Sequence, residues 1–157
     1  MAGRSQARHR QFGCGNRRLP GYTGVDAVPR EAADIVAPAG AIPLPDGCAV
    51  EVLAVHLVEH VFAWEVPELL AEWHRLLKSG GALVLELPDA MKCARNLVNG
   101  VQGRKPDQLH MWGLYGDDTL RDPFRMHKAG RRFSRLAPVA QAAGLLDVVE
   151  REPQLQP

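Results

Sequence analysis

AVEVLAVHLVEHVFAWEVPELLAEWHRLLKSGGALVLEL, residues 49–87, is the stretch that decides the fold. Its first seven residues, AVEVLAV, form a nearly continuous apolar run with β-branched members, the pattern of a strand buried in a parallel sheet. Residues 65–77 predict a helix. Val66, Leu69, Leu70, Trp73, Leu76 and Leu77 fall at i, i+3, i+4, i+7, i+10 and i+11, which draws one apolar stripe. Lys78 complements the helix dipole, and Gly80-Gly81 predict its stop. Residues 82–87, ALVLEL, predict a second buried strand, ended by Pro88. Such a strand–helix–strand unit is right-handed and makes adjacent parallel strands. The class is therefore α/β, and ligands in such sheets bind beyond the carboxyl ends of the strands.

Upstream, residues 12–26 read FGCGNRRLPGYTGVD. A first strand is expected to end near Phe12, although residues 7–11 (ARHRQ) are polar for a strand buried on both faces. A second strand is expected over 22–28, ended by Pro29, and a short third over 33–37, closed by Pro38. Residues 42–47 (IPLPDG) predict a loop. Gly13, Asp26, Pro38 and His56 each follow a predicted strand end, so they share one rim. Glycines let backbone N–H groups approach a ligand closely, and an acid ending the next strand can accept ribose hydroxyls. Together they point to a nucleoside-bearing cofactor. Only residues 16–21 join the glycine turn to the second strand, whereas a parallel crossover usually takes a dozen or more residues. Either that link is irregular or the first strand is displaced.

Downstream, a helix is expected over 90–99 and another over 133–143 despite Pro138, with Gly144 as its stop. Residues 100–130 show no clean period and predict a long functional or disordered connection. Residues 145–150, LLDVVE, predict a closing strand. The expected organisation is a basic, flexible N-terminus (1–11), one domain (12–152) and a frayed tail (153–157). A chain of 157 residues with net charge +1 suits one compact domain and argues against disorder, and nucleic acid is not an expected partner. Five arginines and no acid precede Asp26. They read as a solvated terminus rather than a nucleic-acid arm or targeting peptide. No apolar run approaches the ~20 residues that span a bilayer. Three scattered cysteines, Cys14, Cys48 and Cys93, fit free thiols in a reducing compartment, which predicts a cytoplasmic protein.

Taken in order, these pieces resemble a class I S-adenosylmethionine-dependent methyltransferase, of a small bacterial group of the methyltransferase type 11 kind. FGCGNRRLPGYTGVD resembles its cofactor loop and ribose-binding acid, and IPLPDGCAVEVLAVHLVEHV its loop, strand and His-x-x-Glu-His segment. WHRLLKSGGALVLELPD resembles the helix end, turn and fifth strand, and DPFRMHKAGRRFS a later Asp-Pro-Phe and His-Lys segment. The resemblance implies a Rossmann-like, doubly wound, mostly parallel sheet with a shortened link between strands 1 and 2. It implies S-adenosyl-L-methionine as cofactor and a small-molecule or sugar-like methyl acceptor. Gly13, Cys14, Gly15 and Asn16 would hold the methionyl part, Asp26 the ribose, and Ala27 the adenine pocket, with Asp46 and His56 as further cofactor contacts. His56 and His60 would be catalytic, and Glu59, Tyr115, His127 and Lys128 would meet the acceptor. The sequence departs from the group at ARHRQ, at Pro38 where an acid often meets the adenine edge, and at Ser79 in the Lys-Pro-Gly-Gly turn. The first two leave open a non-catalytic relative that serves as a binding module.

Blander readings stand beside these. Asp46 in Pro45-Asp46-Gly47 suits a turn former. His56, Glu59 and His60 match the inverted zinc-peptidase signature, a third reading as a zinc hydrolase. That signature needs both histidines on one helical face, whereas His56 closes a predicted strand, so no metal is expected. His56 and His60 could equally be hydrogen-bonded loop histidines. His127 and Lys128, with Trp112, Tyr115 and Phe124 nearby, suit either an anionic or sugar-like acceptor or a solvated loop. Trp64 and Trp73 are expected to pack the helix.

Overall fold

The computed structural model describes residues 8–101, 108–117, 119 and 121–153. Five parallel strands form one sheet in the order β3-β2-β1-β4-β5: β1 Arg8–Phe12, β2 Tyr22–Asp26, β3 Ile35–Val36, β4 Ala49–Val55 and β5 Leu77–Glu86. The helices are α1 Val66–Leu76, α2 Ala90–Val98, α3 Gln108–Tyr115 and α4 Phe133–Ala142. From β1 the chain steps outward through β2 to β3, then returns to the other side of β1 for β4 and β5. The switch between β1 and β4 splays the loops above their carboxyl ends and opens a crevice there.

One face of the sheet carries the main core. Phe12, Val25, Val52 and Ala54 meet Val66, Leu69, Leu70, Trp73 and Leu76 of α1, with Ala140 of α4. The apolar stripe of α1 thus does what its spacing predicted. Trp73 is fully buried, lies 5.5 Å from the Phe12 ring, and donates its indole N–H to the Ala39 carbonyl at 2.8 Å. Trp64 behaves otherwise: it is 73% exposed and stacks on Phe62 outside the core. Arg75 of α1 donates to Asp46 and to the Leu44 and Ile42 carbonyls, which ties the 42–47 loop to the helix.

The polar first strand and the short link explain each other. Residues 8–11, expected in a flexible terminus, form most of β1 and sit in the middle of the sheet. Gln11 is buried, and its side chain turns to the link that follows. Its amide donates to the Arg17 carbonyl at 3.2 Å and its oxygen accepts the Leu19 N–H at 2.8 Å. No helix connects β1 to β2; residues 13–21 cross directly, held by that glutamine. His9 packs edge-on against Tyr22, whose hydroxyl donates to Glu51 of β4. Gln11, Tyr22 and Glu51 thus find partners in the link and the sheet, whereas Nε of the buried Arg10 has none among the described residues.

Other expectations shift. β2 ends at Asp26 and β3 is only two residues long. α1 stops because Leu77 turns extended (φ −72°, ψ 134°), and β5 begins at once. Gly80 (φ +73°) and Gly81 lie in a bulge of β5, where the register passes from Ala49↔Leu77 to Glu51↔Ala82. A Cβ on Gly81 would sit 2.9 Å from the Lys78 carbonyl oxygen. The described part of the 100–130 segment includes α3 and a 3-10 turn at Pro123–Arg125, neither with an apolar stripe. Residues 145–150 form no strand. Asp147 takes φ +52°, which breaks the extended run, and Leu146 is 84% exposed. Residues 1–7 and 154–157 of the expected terminus and tail lie outside the described residues.

Candidate functional site

The carboxyl-end rim carries two neighbouring groups of residues. The first is the glycine turn after β1. Gly13 and Gly15 have φ +63° and +54°, a backbone conformation open to glycine and strained for other residues. A Cβ on Gly15 would meet nothing within 4 Å, so the turn presents open backbone. Asp26, at the end of β2, braces it: one carboxylate oxygen accepts the Gly15 N–H at 2.9 Å, the other the Val28 N–H at 3.0 Å. Each oxygen retains a further lone pair for a hydroxyl. Asn16 and Ala27 are exposed beside them. Cys14 points inward and is buried; burial, then the Asp26 charge, pushes its thiol pKa up, so only its backbone faces the rim. These residues fit a nucleoside cofactor in its expected place: open glycine backbone beside an acid with acceptor capacity.

The second group follows β4 and β5. His56 ends β4 with φ +51°, anchored by its N–H to the Glu86 carbonyl at 2.8 Å. Residues 58–60 make one 3-10 turn. Glu59 is 2% exposed, and its Oε1 lies 3.1 Å from Nδ1 of His56. That hydrogen bond raises the His56 pKa against the opposing effect of burial. The Glu59 carbonyl accepts the Lys128 N–H at 2.8 Å, which docks the 126–130 segment onto the turn. His127 thereby reaches Glu59, with Nε2 4.0 Å from Oε1, and its ring meets that of His60 edge-on at 4.9 Å. Burial lowers the His127 pKa.

The second group borders a cavity of about 350 Å³, a size that suits a small ligand. His56, Glu59, His60 and His127 line one side, and Trp112, Asp117 and Arg125 another. The structure therefore brings four of the sequence-derived site residues together. It does not bring in three others. Asp46 stands before β4, at the amino-end rim, and pairs with Arg75 at 2.6 Å; a Pro-Asp-Gly turn preceding a parallel strand cannot reach that strand's far end. Tyr115 is 57% exposed outside the cavity lining and serves through its carbonyl, which accepts the His127 N–H. Lys128 lies over the Phe62 ring, 4.7 Å from its centroid, rather than in the cavity. The charged members that sequence reasoning missed are Arg125 and Asp117. Nothing in their spacing marks them, because Asp117 lies in the link after α3 and Arg125 in a three-residue 3-10 turn, and neither carries a readable period.

A five-stranded parallel sheet in this order, flanked by helices and with a glycine turn and acid at its switch point, defines the Rossmann-like methyltransferase fold. Residues 12–85 match the methyltransferase domain family. An S-adenosylmethionine-dependent methyltransferase from Archaeoglobus fulgidus is similar in structure, with a TM-score of 0.59 and 19% identity over 90% of this chain. A Thermotoga maritima S-adenosylmethionine-dependent methyltransferase gives 0.52 and 17% over 87%. A Haemonchus contortus N-methyltransferase, solved with phosphomonomethylethanolamine and S-adenosylhomocysteine, gives 0.53 and 13% over 90%. The chain spans 62%, 63% and 34% of the lengths of these three structures. No curated protein matches it in sequence. No helix among the described residues is long and apolar enough to cross a membrane.

Proposed function

We propose that the protein is an S-adenosylmethionine-dependent methyltransferase acting on a small acceptor bound in the His56–Arg125 cavity. The observation that carries this reading is the glycine turn braced by Asp26 on the same rim as that cavity. The backbone of Gly13, Cys14, Gly15 and Asn16 would hold the methionyl part, Asp26 the ribose hydroxyls, and Ala27 the adenine side. The cofactor supplies an already activated methyl group, so the protein's task is mainly positioning and exclusion of water. His56, which follows β4 and lines the cavity, is suited to orient the acceptor. A hydroxyl or protonated amine acceptor must also lose a proton. The imidazole of His56, whose Nδ1 lies against Glu59, is suited to take it. Arg125 and Asp117 add charges of both signs to the cavity beside Glu59, which favours a polar or sugar-like acceptor over an apolar one. Three free cysteines, two of them buried, fit a reducing, cytoplasmic setting.

S-adenosylhomocysteine tests the proposal. A ligand that binds only the native state raises the melting temperature, by an amount equivalent to about 2.7 kcal/mol at one hundred times its dissociation constant. A rise in melting temperature is expected, with none at millimolar ligand as the contrary result. One observation favours a second reading, a non-catalytic binding module. Both oxygens of Asp26 already accept backbone bonds, and the cavity lining does not include the glycine turn. The absence of any shift would favour that reading.

A further inference from the structure

We infer that Glu59, His60 and His127 form a three-ligand site for a divalent transition-metal ion of the zinc type, with an open coordination position toward the cavity. One potential ligand atom from each residue lies within 4.8 Å of the other two. Two imidazoles and one carboxylate are a donor set that suits zinc, cobalt or nickel, whereas magnesium and calcium prefer oxygen alone.

The stronger argument is what holds each ligand. Nδ1 of His60 lies 3.1 Å from the Met126 carbonyl oxygen, and Nδ1 of His127 lies 3.3 Å from that of Gly113. A carbonyl can only accept, so each Nδ1 carries the proton and each neutral ring keeps an Nε2 lone pair for a metal. The carboxylate follows the same rule. Oε1 of Glu59 is occupied by His56, while Oε2 is buried and has no hydrogen-bond partner among the described residues. An orphaned carboxylate oxygen in a side chain that is 2% exposed should carry a free-energy cost. A metal ion would remove it. Each first ligand thus has one partner behind it, the arrangement that orients histidine and carboxylate ligands in metal centres.

Three ligands about 2.1 Å from one ion stand about 3.4 Å apart in tetrahedral geometry. The three potential ligand atoms lie within 4.8 Å of one another and so close by at most about 1.4 Å on binding, within the reach of χ rotations. The sequence signature His-x-x-Glu-His pairs the wrong histidines for this site. His56 stands behind the carboxylate, and the second imidazole comes from 67 residues beyond His60, on the segment that Glu59 docks through its carbonyl. The site does not depend on the glycine turn.

The test uses the untagged full chain, stripped with chelator and titrated with zinc by calorimetry and with cobalt(II) by visible absorption. One equivalent of zinc is expected to bind, and cobalt to develop ligand-field bands of a low-coordinate nitrogen/oxygen site. His127→Ala and His60→Ala should each weaken zinc binding at least tenfold, while His9→Ala, far from the cavity, should leave it unchanged. Circular dichroism checks that each variant is folded; the two histidine deletions are read independently, so loss of one fold leaves the other decisive. Absence of one-to-one binding by the wild type overturns the inference. So does unchanged affinity in whichever of the two variants folds. A parallel titration of the stripped protein with S-adenosylhomocysteine keeps failure here distinct from failure of the methyltransferase reading.

Discussion

Replacing Asp26 by alanine probes the brace between the cofactor turn and the second strand. The carboxylate accepts two backbone N–H groups, from Gly15 at 2.9 Å and Val28 at 3.0 Å. A hydrogen bond to a charged group is worth about 1.5–3 kcal/mol when shielded. Asp26 is only half-buried, so water replaces part of each bond, and about 1 kcal/mol apiece is the better figure. The variant should therefore lose about 2 kcal/mol. For a domain of this size that lowers the melting temperature by about 4–8 °C. Asp26→Asn keeps one acceptor oxygen and should lose about half as much. Thermal melts followed by circular dichroism, with and without S-adenosylhomocysteine, separate the two consequences. The alanine variant should melt lower and show no ligand shift. An alanine variant that melts like the wild type and keeps its full ligand shift would refute both the brace and the ribose role.

Gly24→Ala places a Cβ 2.2 Å from the Ala32 carbonyl oxygen and 2.9 Å from the Cys14 sulfur. The backbone must move, so a loss of about 1–3 kcal/mol is expected in chemical denaturation; a neutral result would contradict the close packing of the 27–34 loop on β2. Trp73→Phe keeps the ring against Phe12 but abandons the Ala39 carbonyl, which should cost about 1–3 kcal/mol; Trp73→Ala, at about 3–5 kcal/mol, should leave little folded protein at 37 °C. The Arg75 hydrogen bonds hold the Glu72 carboxyl below the usual carboxylate range. The stability they contribute is present above that range and is lost as pH falls through the lowered folded value. Arg75→Met should thus lower the melting temperature at pH 7, and the gap to wild type should narrow on acidification; a gap that widens would reverse the assignment.

The parts legible in the sequence are those set by periodicity. The stripe of α1 and the apolar run of β4 bury where their patterns say, whereas β5, expected to be buried, is an edge strand whose Leu83 and Leu85 pack on the core while Ala82 and Val84 are exposed. β1 was harder to read. A buried strand written RHRQF violates composition, and only the tertiary pairing of Gln11 with Arg17 and Leu19 shows why it is tolerated. LLDVVE failed for the opposite reason: it has strand composition, but the left-handed turn at Asp147 breaks it and no sheet edge takes it. At the site, the placement of Asp26 and the glycines on one rim was legible because each lies at or just past a strand end. The His60–His127 pairing was not, since it depends on how the 126–130 segment docks on the Glu59 turn. Asp46 misled because the Pro-Asp-Gly turn says nothing about which rim it occupies.

The most direct test of the account is equilibrium dialysis of isotopically labelled S-adenosylmethionine against the wild type and Asp26→Asn. The account predicts one saturable site per chain in the wild type, displaced by S-adenosylhomocysteine and weakened at least tenfold in the variant. No saturable binding by folded wild-type protein at millimolar cofactor, or equal binding by both proteins, would contradict it.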